Sequence, residues 1–214
     1  MLGFFSFTEV TDPAAHRAYN EWHQFDHLPE QFTLDGVLFG QRWVCTPQCR
    51  EASVAVSPLL SPCQYMTLYL LRDADVLTGF AALATRLRSE DRFFALRHSH
   101  LSGPFRVTER RVSPHVKVSG EAVPFRPSEG VYVIVGPPVD AAALVAQEGV
   151  AGAWGFVGDT GRHITVAFVD GDLAGTAALL GPWCLRATPD PEWAGPLERI
   201  DANRWDWFAR LTPQ

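Results

Sequence analysis

Asp35–Val44 reads DGVLFGQRWV, and Glu148–Val157 reads EGVAGAWGFV. The two stretches align without a gap: an acid, then Gly-Val, then small and aromatic residues closing on valine. Each is followed by a run of strand character, MTLYLL at 66–71 and ITVAFV at 164–169. Each run leads into a segment containing Ala-Ala-Leu, at 81–83 and at 177–179. Gly103-Pro104-Phe105 then enters a last strand as Gly195-Pro196-Leu197 does. Matches in a common order are the mark of a repeated unit, so the chain is read as an internal duplication.

Working outward, 3–8 is a short aromatic strand, and Asp12-Pro13 opens a helix running to about Phe25. Pro29 makes Asp26–Glu30 a turn or broken last turn. Strands at 36–45 and 64–71 flank an irregular stretch, 46–63, with three prolines, a candidate cleft wall. A helix at 73–89 and a strand at 104–116 complete the order β-α-β-β-α-β. The pattern restarts with strands at 130–135, 149–157 and 163–169 and helices at 139–147 and 172–180. The expected fold is α+β. Two tandem ferredoxin-like (β-α-β-β-α-β) repeats, 1–118 and 129–214, are joined by a linker at 119–128. A four-stranded sheet covered on one face leaves the other bare, so the two antiparallel sheets are expected to pack face to face as an intramolecular α/β barrel.

Composition agrees with a packed core. The chain has 214 residues, 47% apolar and 20% charged. No apolar run is long enough for a membrane span, and the N-terminus lacks the basic residue of a signal peptide. Net charge is −6 and Lys117 is the single lysine, so nucleic acid is not an expected partner. Four cysteines without a secretory signal read as reduced thiols in a cytoplasmic protein. Monomer and homodimer both fit.

Trp22, then Asp26-His27-Leu28-Pro29-Glu30, then Gly36 and Gln41-Arg42-Trp43 resemble the dimeric α/β-barrel superfamily, closest to its EthD-like and stress-responsive A/B-barrel branches. There a W-x(2–3)-D/E-H-x-P segment sits between the first helix and second strand. The second half carries no H-x-P, so the resemblance implies one cleft. It also implies that His27 lines that cleft. The superfamily spans monooxygenases, cyclases, isomerases, haem enzymes and members without known activity, and fold alone does not choose among them.

His27 is the catalytic candidate: a neutral imidazole can take or return a proton, with Asp26 or Glu30 orienting it. The alternative is structural, with His27 bonding backbone freed by the proline. Trp22 and Glu30 are placed beside the substrate. Arg42, in an apolar strand, either grips a carboxylate or phenolate or forms an internal ion pair with Glu9 or Asp26. Tyr65 and Tyr69 share a strand face, and either donates to an enolate or packs in the core. Ala14, Ala18, Trp22 and Phe25 define an apolar helix face, which turns His16, Asn20 and His23 toward solvent. His23 and His27 are four apart but lack the glutamate of HExxH, so no metal is expected. Arg97-His98-Ser99-His100 reads as a solvated loop by default, with capping of the cleft as the alternative because it precedes the Gly103-Pro104 strand entry.

Two functions follow. One is a cofactor-independent enzyme of monooxygenase, cyclase or isomerase type, acting on a small aromatic or polyketide-like carbonyl compound. The other is a non-catalytic small-molecule-binding or structural protein with a solid barrel. Haem on His163 rests on superfamily precedent alone, and no cofactor is assigned.

Overall fold

The computed structural model describes residues 1–201; Trp205 and Trp207, read as strand-like packing residues, lie outside them. Strand β1 (Leu2–Val10) is followed by helix α1 (His16–Trp22), a π turn (His23–His27) and α2 (Leu28–Phe32). Then come β2 (Val37–Val44), α3 (Pro47–Glu51), β3 (Ala55–Val56), β4 (Tyr65–Leu71), α4 (Val76–Ser89) and β5 (Arg97–Val112). The remainder is β6 (Gly130–Gly136), α5 (Ala141–Val145), β7 (Val150–Val157), β8 (His163–Val169), α6 (Leu173–Ala187) and β9 (Trp193–Arg199).

The strands form one sheet in the order β2-β4-β1-β5-β7-β8-β6-β9, and β9 pairs back onto β2. This closes an antiparallel barrel of eight strands, with β3 appended to β9. The expectation of two ferredoxin-like repeats laid face to face is corrected here. The edges are joined by hydrogen bonds, and no pair of separate sheets faces each other. β5 makes the first seam. Its N-terminal part pairs with β1, from Val10↔Arg97 to Leu2↔Arg106, and its C-terminal part pairs with β7, from Arg106↔Val157 to Val112↔Gly152. The second seam is short, Trp43↔Arg199 and Val44↔Glu198. Closure satisfies edge N–H and C=O groups that face-to-face packing would leave bare.

Alternation along the strands separates an inner from an outer face. Phe5, Phe7, Met66, Leu68, Val133, Phe156 and Val166 point inward and fill the barrel with Trp43, Trp154 and Trp193. Phe5 meets Phe156 edge-on at 4.9 Å and Phe105 at 5.4 Å. An eight-stranded barrel has room for side chains and little else, and this one is filled. The stretch 46–63, expected to be irregular and to wall a cleft, does not line the cavity beside His27. It contains α3 and β3, and Cys49, Leu60 and Cys63 join the inner core. The stretch 119–128 is packed too: Val123 is buried, and the Trp154 indole donates to the Gly120 carbonyl at 2.8 Å.

On the outer face the two halves differ. Under α5 and α6, Tyr132, Ile134, Ala153, Ala167 and Val169 form one continuous apolar cluster. Under α1, α2 and α4 there are two smaller clusters, one around Tyr19 and Tyr65 and one around Leu28 and Tyr69. A cavity lies among these residues.

Candidate functional site

Pro29 creates the site's geometry. A proline within a helix has no N–H to donate, and its ring crowds the carbonyl four residues earlier. The helix does not break, as the sequence suggested. It widens into a π turn, and the Leu28 N–H donates to the His23 carbonyl five residues back. Single π turns recur at functional sites because they displace side chains from regular helical positions. Here His23 and His27 are both buried, with ring centres 5.0 Å apart and planes nearly perpendicular at 79°. His27 also stacks on the Trp22 indole at 4.6 Å, and that indole donates to the Arg92 carbonyl at 2.8 Å.

The expected helix face is inverted. His16, Asn20 and His23 are buried, while Ala14, Ala18 and Phe25 are exposed. Two of these buried polar groups, His16 and Asn20, have partners that explain this. Tyr65 places its hydroxyl 2.8 Å from His16 Nδ1 and 3.0 Å from Asn20 Nδ2, and the Arg42 guanidinium donates to Asn20 Oδ1 at 2.8 Å. Arg42 lies over the Tyr19 ring at 5.1 Å and the Tyr65 ring at 5.7 Å. Its expected ion pair is not formed: Glu9 bonds His100 at 2.7 Å and Asp26 bonds Arg92 at 2.6 Å.

A cavity of about 440 Å³ opens between the helices and the outer face of β1, β4 and β5. His23, His27, Gln31, Tyr69, Arg88 and Arg97 line it, with Phe4, Phe80, Phe93 and Tyr19 as aromatic walls. Gly40 on β2 lets Tyr69 sit where it does, since a Cβ there would fall 2.9 Å from the Tyr69 ring. Five buried polar atoms of these lining residues lack a hydrogen-bond partner among the described residues: His23 Nδ1, His27 Nδ1, Gln31 Oε1, the Tyr69 hydroxyl and Arg97 Nε. Buried polar groups are almost always bonded, so such a cluster marks groups waiting for a ligand or ordered water.

Of the residues singled out in the sequence, His27 and Tyr69 line the cavity, and Trp22 backs His27. Asp26 and Glu30 are engaged elsewhere. Asp26 bonds Arg92, and Glu30 bonds Arg92 at 2.8 Å and Arg86 at 2.7 Å. These pairs tie the helical segment to the chain around α4, and the Arg92 hydrogen bond holds the Glu30 carboxyl below its usual range. Among the described residues, His27 takes its hydrogen bond from Gln31, at 3.3 Å. Arg42 and Tyr65 lie outside the lining. His23, Gln31 and Arg97 were missed. The spacing His23-x3-His27-x3-Gln31 was the available signal, since it stacks three polar groups on one helical face. Arg97, read as part of a solvated loop, starts β5.

The site's electrostatics favour neutral imidazoles. Burial, followed by the Arg97 and Arg42 guanidiniums, lowers the His27 pKa from 6.5 to about 3. His23 is pushed the same way by burial, then Arg42. The same positive field opposes a metal cation on the histidine pair. Burial drives the Tyr69 phenol well above its ordinary value, so it is a hydrogen-bond donor at neutral pH. Gln31 sets the His27 tautomer. If the Gln31 Nε2 donates to His27 Nε2, the proton sits on Nδ1; with the amide turned over, Oε1 accepts from His27 Nε2–H and Nδ1 is the basic nitrogen. All four cysteines are free and buried, and burial raises the Cys45 and Cys63 thiols to about 12. Among the described residues, no helix is long and apolar enough to cross a membrane.

No protein-family model matches this sequence, and no curated protein matches it. The EthD-like and dimeric α/β-barrel resemblance read from the H-x-P segment is therefore not supported; of it, the barrel architecture stands. Among solved structures the chain is similar to a protein from Lactobacillus acidophilus NCFM described as a "putative monooxygenase". Identity is 7% and the TM-score 0.48, over 93% of this chain and 94% of that one.

Proposed function

We propose that the cavity beside His27 is the active site of a proton-transfer enzyme acting on a small aromatic or polyketide-like carbonyl compound. The observation that carries this reading is the cluster of unpartnered polar atoms around one aromatic-walled cavity, with His27 among them. In the reaction, with the Gln31 amide turned so that its Oε1 accepts from His27 Nε2–H, the unprotonated His27 Nδ1 takes a proton from the carbon next to the substrate carbonyl. The electron pair of the broken C–H bond moves onto the carbonyl oxygen, and the Tyr69 hydroxyl donates a hydrogen bond to it. An imidazole so hard to protonate accepts a proton only when negative charge develops beside it, which enolate formation supplies. The enolate is a shared first intermediate of isomerisation, aldol cyclisation and oxygenation without a cofactor, so the proposal covers the class and not one member. A non-catalytic binding protein is the second reading, and the weak basicity of His27 in the free protein is the observation that favours it.

The test is deuterium incorporation next to the carbonyl of phenylpyruvate and of benzylacetone in D2O, followed by proton NMR. The protein should accelerate exchange in at least one probe, and His27→Gln should return the rate to background while the fold is retained. Acceleration of neither, or equal acceleration by the variant, leaves the binding protein as the reading.

A further inference from the structure

The charges around the cavity are one-sided. The chain carries 24 acidic against 18 basic residues, yet its lining contains Arg88 and Arg97 and no aspartate or glutamate. Among the described residues neither arginine forms an ion pair. Both guanidiniums lie against one ring, Arg88 at 4.2 Å and Arg97 at 4.5 Å from the centre of Phe93, and Arg97 is 5.5 Å from Trp22. Arg97 Nε is buried without a partner, and its Nη1 has only a long bond of 3.4 Å to Ser99 Oγ. Arg97 is half-buried and Arg88 is exposed; a cation partly taken out of water without a counter-ion is costly, and a second cation nearby raises the cost. Burial, and Arg88 in part, make Arg97 a weaker base than usual. A single anion placed here would offset both.

From this we infer that the cavity selects a small aromatic anion, whose carboxylate or equivalent group docks on the Arg97 guanidinium with Arg88 behind it. The planar fork of arginine matches a carboxylate through two parallel hydrogen bonds. Phe4, Phe80 and Tyr19 supply the apolar wall for the ring. The inference rests on the cavity being a ligand site, and it adds a step to the proposed chemistry. A docked anion screens the guanidinium field that acts on His27, so binding the right substrate makes the imidazole a better base.

Isothermal titration calorimetry with phenylacetate and its neutral counterpart phenylacetamide tests this without any reaction. The wild-type protein should bind the anion at least about tenfold more tightly. Added sodium chloride should weaken phenylacetate binding and leave phenylacetamide binding unchanged. Arg97→Gln should erase the preference, and Arg97→Lys should keep part of it. Equal binding of the two probes by the wild type, binding of neither at millimolar concentration, or a preference that survives Arg97→Gln overturns the inference. The two proposals fail separately. Equal probe binding with exchange still dependent on His27 removes the anion site and keeps the enzyme. A strong preference without exchange does the reverse.

Discussion

Acid should destabilise this protein through His27 before it protonates the carboxylates. The folded imidazole has a pKa of about 3, against 6.5 when free of its surroundings. Above the higher value neither state binds a proton, and His27 adds nothing to the pH dependence. As pH falls below 6.5, the unfolded imidazole gains a proton and the folded one refuses it, so stability is lost. The loss grows until pH reaches the folded value, then levels. Between about pH 7 and pH 5 the His27 share comes to about 2 kcal/mol, and the full shift is worth about 4 to 5 kcal/mol. His23, and more weakly His16, are displaced in the same direction by burial, so the wild-type loss exceeds the His27 share. Urea unfolding at both pH values, followed by circular dichroism, measures it. In His27→Gln the loss between the two pH values should shrink by about 2 kcal/mol. If the variant and the wild type lose the same amount, the buried neutral imidazole is wrong, and the proposed site with it.

Tyr69→Phe separates packing from chemistry. Its hydroxyl has no partner among the described residues, so removing it should leave stability unchanged or raise it by up to about 1 kcal/mol, while deuterium exchange falls by about 10²-fold. A clear loss of stability in urea would show that the hydroxyl is bonded in the free protein. Phe156→Ala addresses the barrel. The ring is fully buried and edge-on to Phe5, so unfolding should be easier by about 3 to 5 kcal/mol, and a cost under about 1 kcal/mol would refute a packed interior.

Local order was legible in the amino acids because it is set by neighbours in the chain. The run at Tyr65–Leu71 is apolar apart from Thr67, and in the barrel every residue of it is buried, one face inside and the other under helices. Asp12 and Pro13 announced the helical start, and the Asp12 carboxylate accepts the Ala14 N–H at 2.9 Å. His27 stood out through the resemblance of its H-x-P segment, and Pro29 two residues later lies where the helix widens into a π turn.

What was misread depended on distant partners. Alanine counted as apolar, so Ala14 and Ala18 appeared to define the buried face. Tyr65 and Arg42, on strands far along the chain, offered hydrogen bonds that made His16 and Asn20 the cheaper residues to bury. Arg97-His98-Ser99-His100 looked like a loop because its polarity hid a strand that pairs with β1. Asp26 and Glu30 were assigned to His27 by proximity in sequence, but Arg92 and Arg86 hold them.

By itself, the sequence determined where most of the strands and longer helices form, because periodicity, caps and prolines act within a few residues; the start of β5 and the short α3 and β3 escaped it. It also marked the H-x-P segment as unusual. Only the tertiary structure decided that the sheet edges join into one closed barrel, that the polar face of the first helix turns inward, and that Arg97 stands beside His27 with no carboxylate among the described residues to neutralise it. Those outcomes balance the desolvation of polar groups against hydrogen bonds made across the fold, and no local pattern encodes that balance.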